Sequence, residues 1–186
     1  MNFNRIEDVE TWIRTHFFGK YRGTVVDNLD ILGQKGRLKV EVPAVLGDQA
    51  IWAMPCVPYA GSDVGFYFLP PTGAGVWIEF EGGDPSYPIW TGCFWADGEL
   101  PSEILTSDTR ILKTENTHFK VDDLIGDVEL TNTQGATTTW SLDISDSVGP
   151  STHTVGAVGV VSESTPGKVE VGPAGVTINN GAFKVT

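Results

Sequence analysis

Three histidines, His16, His118 and His153, are the side chains of this 186-residue chain whose ordinary pKa lies near neutrality. They sit in unrelated contexts, THFF, NTHFKV and STHTV, none with a nucleophile or a second histidine at a useful spacing. The patterns of a serine hydrolase elbow, a zinc protease, a phosphate loop and a dinucleotide turn are absent. Asp122-Asp123 and Asp143-Ile144-Ser145-Asp146 carry carboxylates that suit Ca²⁺, but lack the glycine and terminal glutamate of an EF-hand, and they read as solvated acidic faces. Scattered carboxylates could also serve a glycoside hydrolase, though no pair stands out. Cys56 and Cys93 have neither CxxC nor metal-ligand spacing, and each lies in an apolar run that predicts a buried free thiol. The expectation is a non-enzyme with no catalytic, cofactor-binding or metal-ligating residue.

Composition asks what else the chain could do. Twenty-four acids against 12 bases leave a net charge of −12, and clustered Lys and Arg are missing, so nucleic acid is not an expected partner. The N-terminus has no basic start followed by an apolar run, and no stretch is long enough to cross a bilayer; synthesis in the bacterial cytoplasm without a signal peptide is expected. Of the 19 aromatic residues, 16 precede position 101, whereas residues 101–186 hold 22 Ser and Thr with scattered Val, Ile and Leu. The first half can build its own core from large side chains. The second half is poorly endowed for a compact monomer.

Ile6, Val9, Ile13 and Phe17 recur at helical spacing and predict a short amphipathic helix lying on a barrel, with Asn4 as N-cap, Glu7 completing a capping box and Gly19 ending it. From residue 20 the period changes to two. Strands are predicted at 20–26, 37–42, 51–57, 65–69, 75–80 and 89–94, separated by Gly, Pro and Asp turns. Five or six short strands beside one helix suggest an OB-type barrel. Gly73 and Gly75 would allow turns before a strand, Gly82 and Gly83 ahead of Asp84-Pro85 a sharp reversal, and Pro43 a strand stop, while Trp77, Phe80, Trp90 and Trp95 would pack in the core or an interface.

Beyond a linker the pattern becomes short apolar pairs two residues apart: Phe119 with Val121, Val128 with Leu130, Leu142 with Ile144, Val169 with Val171, Val176 with Ile178, and Phe183 with Val185. Such short strands, apolar on one face and without aromatic bulk, do not make a stable isolated sheet. Winding three copies about one axis supplies the missing side, with Val169, Val171, Val176, Ile178, Phe183 and Val185 on the axis and open backbone edges pairing with the next chain. The expected fold is all-β: an N-terminal segment with a short helix at 1–18, an OB barrel at 19–97, a linker at 98–108, and an intertwined trimeric β-helix at 109–186.

The motifs GxVxxNxD at 23–30, GRLKVxVP at 36–43 and PxxGxxVWIEFEGGDPxxPxWxG at 70–92 resemble the OB domain of the phage baseplate assembly protein V and VgrG spike family, through Gly23, Gly36, Arg37, Pro43, Gly73, Gly75, Trp77, Gly82, Gly83, Asp84, Pro85 and Trp90. The resemblance implies a homotrimeric central spike of a contractile injection system, resident in a virion tail baseplate or equivalent particle. It would join a hub or tube protein through the OB domain and touch the target envelope transiently as the needle pierces it. Some relatives carry a lysozyme domain between barrel and needle, for which this linker is too short, or an apical iron held by His-x-His, which STHT does not supply. By the same resemblance the end formed by Ala182, Lys184 and Thr186 would dock a PAAR-type tip protein. A second reading keeps the fold but makes it a glycan- or peptide-binding OB module on a trimeric stalk.

Overall fold

The computed structural model describes residues 5–104 and 106–185, which divide into two units, 1–100 and 101–186. Asn4 and Thr186 lie outside the described residues.

The first unit opens with helix α1, Ile6–Thr15, capped by Arg5, whose N–H donates to the Asp8 carboxylate at 3.2 Å. The reciprocating acid is therefore Asp8 rather than Glu7. The helix stops well before Gly19, because His16 is already extended and the Thr15 hydroxyl donates to the Thr11 carbonyl at 2.9 Å. Its apolar stripe does not rest on the barrel: Ile6 and Ile13 are 80% and 61% exposed. The anchor is Phe17, beyond the helix, which packs against the core near Tyr21 and Phe80 and donates its N–H to the Gly83 carbonyl at 2.7 Å.

Five strands close a barrel in the order β1-β2-β3-β7-β6. They are β1 (Tyr21–Asp27), β2 (Leu38–Glu41), β3 (Ala50–Pro55), β6 (Gly75–Phe80) and β7 (Pro88–Phe94), with β3 and β7 parallel and the other neighbours antiparallel. Alternation does what period two demands. Leu38 and Val40 of β2, and Val76, Ile78 and Phe80 of β6, are buried with Val25, Val42, Ala53 and Trp90, while Lys39, Glu41, Trp77 and Glu79 face away. After β2, Pro43 opens a single-turn helix α2 (Pro43–Leu46), the position where its missing N–H costs nothing.

Two expectations fail here for local reasons. Residues 66–69 are not a barrel strand; the chain makes a small hairpin of β4 (Ala60–Gly61) and β5 (Val64–Gly65), closed by the Phe66 N–H donating to the Tyr59 carbonyl at 2.8 Å, then runs on outside any strand. Three successive aromatics leave no alternation to follow, and Phe66 stacks on Phe68 at 4.6 Å instead of one of them turning inward. Cys56 and Cys93 are free but exposed, not buried. Cys93 lies past a bulge in β7, among the last residues of that strand, none of which is buried.

Arg37 staples the loop between β1 and β2. Its guanidinium donates to both oxygens of Asp30, at 2.9 and 2.7 Å, and stacks over Trp52 at 5.4 Å. The Asp30 side chain is 5% exposed and also accepts the N–H groups of Gly33 and Lys35. The hydrogen bonds from Arg37, ahead of those from the two backbone N–H groups, hold this carboxyl far below the usual carboxylate range.

The second unit is one antiparallel meander of strands in sequence order: β8 (Thr109–Lys113), β9 (Thr117–Asp122), β10 (Asp127–Asn132), β11 (Ala136–Trp140), β12 (Ile144–Val148), β13 (Ser151–Gly156), β14 (Gly159–Ser164), β15 (Gly167–Gly172), β16 (Gly175–Ile178) and β17 (Phe183–Val185). Leu142 is not part of it; it lies in a turn, 98% exposed. Every strand of this sheet except β8 and β17 has both backbone edges paired inside its own chain, so the open edges are those of β8 and β17. What this sheet lacks is a cover. The buried core residues among those described all lie between Val25 and Trp90, and the meander contributes none.

Two substitutions test this part of the fold. Leu38→Ala should destabilise the barrel by about 2–5 kcal/mol, read from chemical denaturation, because it empties a fully buried site. Asp30→Asn should lower the melting temperature of the barrel near neutral pH. A depressed carboxyl pKa contributes stability above its unfolded value and loses it as pH falls through the folded value. The gap between wild type and variant should therefore persist in mild acid and close only in strong acid, and thermal melts across pH read it directly.

Candidate functional site

The motif residues of the barrel are builders of its geometry. A Cβ on Gly23 would meet the Glu41 carbonyl and an Ile78 methylene carbon at 3.0 Å, and one on Gly75 would meet the Phe94 ring at 2.6 Å. Gly75 is thus kept small by an aromatic neighbour within a strand, not by a turn. Gly36, Gly73, Gly82 and Gly83 adopt positive φ angles. The Gly36 carbonyl accepts from the Trp90 indole at 3.2 Å, which fastens the loop before β2 to the core. Asp84 and Pro85 turn the chain into β7: the Asp84 carboxylate accepts the Ser86 N–H at 2.9 Å, a bond that keeps its pKa low. Trp77 packs against Phe94 with the Arg22 guanidinium over both rings.

A cleft of about 340 Å³ lies beside the small hairpin, lined by Tyr59, Phe66, Tyr67, Phe68, Pro55 and Trp90 among others. Its aromatic walls were hidden from the sequence reading by the mistaken strand at 65–69.

The histidines lie far apart in sequence and have separate partners. His16 stacks on Trp12 at the end of α1. His118 contacts the Glu129 carboxylate at 3.1 Å, and that hydrogen bond is the main reason the Glu129 pKa is lowered. His153 shares a hydrogen bond with Ser162 at 2.7 Å. Asp123 pairs with Arg110, and Asp122 accepts the Leu124 N–H. Among the described residues of one chain, no group of three or more His, Cys, Asp and Glu could hold a metal ion.

The largest organised surface is one face of the meander. Paired residues of adjacent strands share a face, and the register carries one apolar row from β9 to β16, Val121, Val128, Trp140, Ile144, Val155, Val160, Val171 and Val176, with Val185 pairing next in register and Arg110 of β8 at the other end. A parallel row holds Leu112, Phe119 and Leu130 at one end and Val169, Ile178 and Phe183 at the other. Thr, Ser, Lys and Glu dominate the opposite face. In β12 the apolar Ile144 and Val148 are exposed while Ser145 and Ser147 are half-buried, the reverse of what a monomeric sheet with one wet side presents.

The structure thus brings Val169, Val171, Val176, Ile178 and Phe183 onto one face. Of the proposed docking end, Ala182 is exposed in a turn and Lys184 pairs in register with Thr177. Sequence pairing missed β8, β11, β13 and β14, whose apolar residues do not come two apart in pairs. The signal that finds them is the spacing of turns around the strands already recognised.

Residues 21–95 match the sequence profile of the Type VI secretion system/phage-baseplate injector OB domain. No curated protein matches the chain. The matched stretch begins at the first residue of β1 and ends one residue beyond β7, enclosing the closed five-stranded barrel. Over these residues the barrel is similar to the injector OB domain of the Type VI secretion system and phage-baseplate kind.

Proposed function

We propose that the chain is the central spike of a contractile injection machine, acting as a homotrimer. The observation that carries this reading is the uncovered apolar face of the meander. Exposed contiguous apolar surface of that extent marks an interaction site, and it runs the length of a sheet that follows an injector OB domain. Three copies placing these faces toward a common axis would bury Val169, Val171, Val176, Ile178, Phe183 and Val185 against their symmetry mates. The polar Thr- and Ser-rich faces would then meet water.

In this reading the OB barrel joins the hub or tube, and sheath contraction drives the trimer through the target envelope. The work is mechanical and needs no covalent chemistry from this chain. The end at Ala182, Lys184 and Thr186 is where a PAAR-type tip protein would dock. The particle is a phage tail baseplate or its equivalent.

The trimer is tested by native mass of the purified full chain, expected at three chains. Val171→Asp should dissociate that trimer, since three carboxylates would meet in an apolar interior, whereas Glu170→Gln on the opposite face should leave it intact. In a single chain Val171 is 46% exposed, so an isolated sheet would tolerate the change. An unchanged mass and melting temperature for the Val171 variant would exclude the axial position.

The aromatic cleft of the barrel favours a second reading, an oligosaccharide- or peptide-binding module on a trimeric stalk. Saturable heat on titration with cell-wall oligosaccharides, lost in a Tyr67→Ala variant, is the result that reading expects.

A further inference from the structure

Because the strands of the meander follow one another in sequence order, its turns fall alternately on two margins. One margin carries turns 123–126, 141–143, 157–158 and 173–174, and the other 114–116, 133–135, 149–150, 165–166 and 179–182. The two differ in chemistry. The first presents Leu124, Ile125, Leu142 and Val158, all between 67% and 98% exposed. The second is built of Thr, Glu, Asn, Gln, Gly, Pro and a single Ala, with no Val, Leu, Ile, Met or aromatic residue.

The apolar face has the same lopsidedness. Its row nearest the first margin is the apolar one that runs from Val121 to Val176. Four residues further along each strand, on the same face, the register reads Ala136, Val148, Ser151, Ser164 and Gly167 across β11 to β15. Val148 apart, these residues are small, and two hollows open beside them. One, of about 340 Å³, is lined by Leu130, Ala136, Thr138 and Val148 among others; the second, of about 460 Å³, by Ser164, Gly167, Val169 and Ile178 among others. In the strand order the hollows lie at β10–β11 and β14–β15, four strands or about 19 Å apart. The turns that hold Leu124 and Val158 join β9 to β10 and β13 to β14, again four strands apart and each one strand from a hollow.

We propose that the first margin is a self-association seam, with Leu124, Ile125, Leu142 and Val158 seated on the small-residue margin of a neighbouring copy. The inference rests on the trimeric reading and adds to it which margin meets which. Rotation about an axis along which all chains run the same way brings each copy's first margin to its neighbour's second, and never like to like. Large tips on one side and small residues with hollows on the other are the complement that such an unlike contact requires. Neighbouring sheets therefore overlap at the seam, the apolar tips lying inside and the Thr-, Asn- and Gly-rich turns outside, in water.

The experiment uses the purified full chain with p-benzoylphenylalanine in place of Leu142. That side chain is 98% exposed in one copy, so the fold of the chain does not depend on it. Irradiation should give covalent dimers and trimers on a denaturing gel, with the adduct mapping within residues 130–151 of another chain. Leu142→Asp should raise the concentration at which the trimer half-dissociates by roughly tenfold or more, whereas the same change at Thr139 on the opposite face should not. A trimeric mass with no chain-to-chain adduct, with adducts at the neighbour's own first margin, or with unaltered dissociation of the Leu142 variant would overturn the seam and leave the spike reading standing. An adduct to a different protein would overturn it as well. A single-chain mass would overturn both.

Discussion

The organisation of this protein depends on one constraint: a single-layered sheet with an apolar face has no second layer in its own unit, among the described residues, to cover that face. Hydrogen bonding does not pose the problem, because the meander satisfies its ladders internally from β8 to β17. Side chains pose it. Val, Ile, Trp and Phe are arrayed in register on one side, and their removal from water is the dominant favourable term open to the tail. The proposed assembly is a response to that imbalance.

The barrel solves the same problem by closure. Its strands curl until β1 meets β6, so the inward residues of each strand cover those of the others, and edges disappear. Small residues make the curl possible where backbones approach, as at Gly23, and the Arg37 and Asp30 pair fixes a loop that would otherwise wander. One chain therefore joins a self-sufficient unit to a unit whose apolar surface is unmatched.

Much of this was legible in the sequence, and the failures are instructive. Leu38, Val40, Val76 and Ile78 alternate with polar residues, so β2 and β6 were plain. The run Phe66-Tyr67-Phe68 offered hydrophobicity without period and was misread as a strand. Ile6, Val9 and Ile13 do mark a helix, but periodicity says only that a face is apolar, not what covers it. Cys93 lies past a bulge, in an unburied strand end that only pairing reveals. For the tail, pairs such as Val169 and Val171 disclosed the face, while Ala136–Trp140 and Ser151–Gly156 stayed silent because Thr and Ser fill half or more of their positions.

The meander's connectivity has a further consequence. Since each strand bonds only to those immediately before and after it in the chain, excising or inserting one hairpin leaves the remaining ladders untouched, much as in repeat proteins with nearest-neighbour contacts. The sheet's extent can then change in increments of about 10 Å, two strand spacings. Length in such a tail is a modular quantity that can change without redesigning either end.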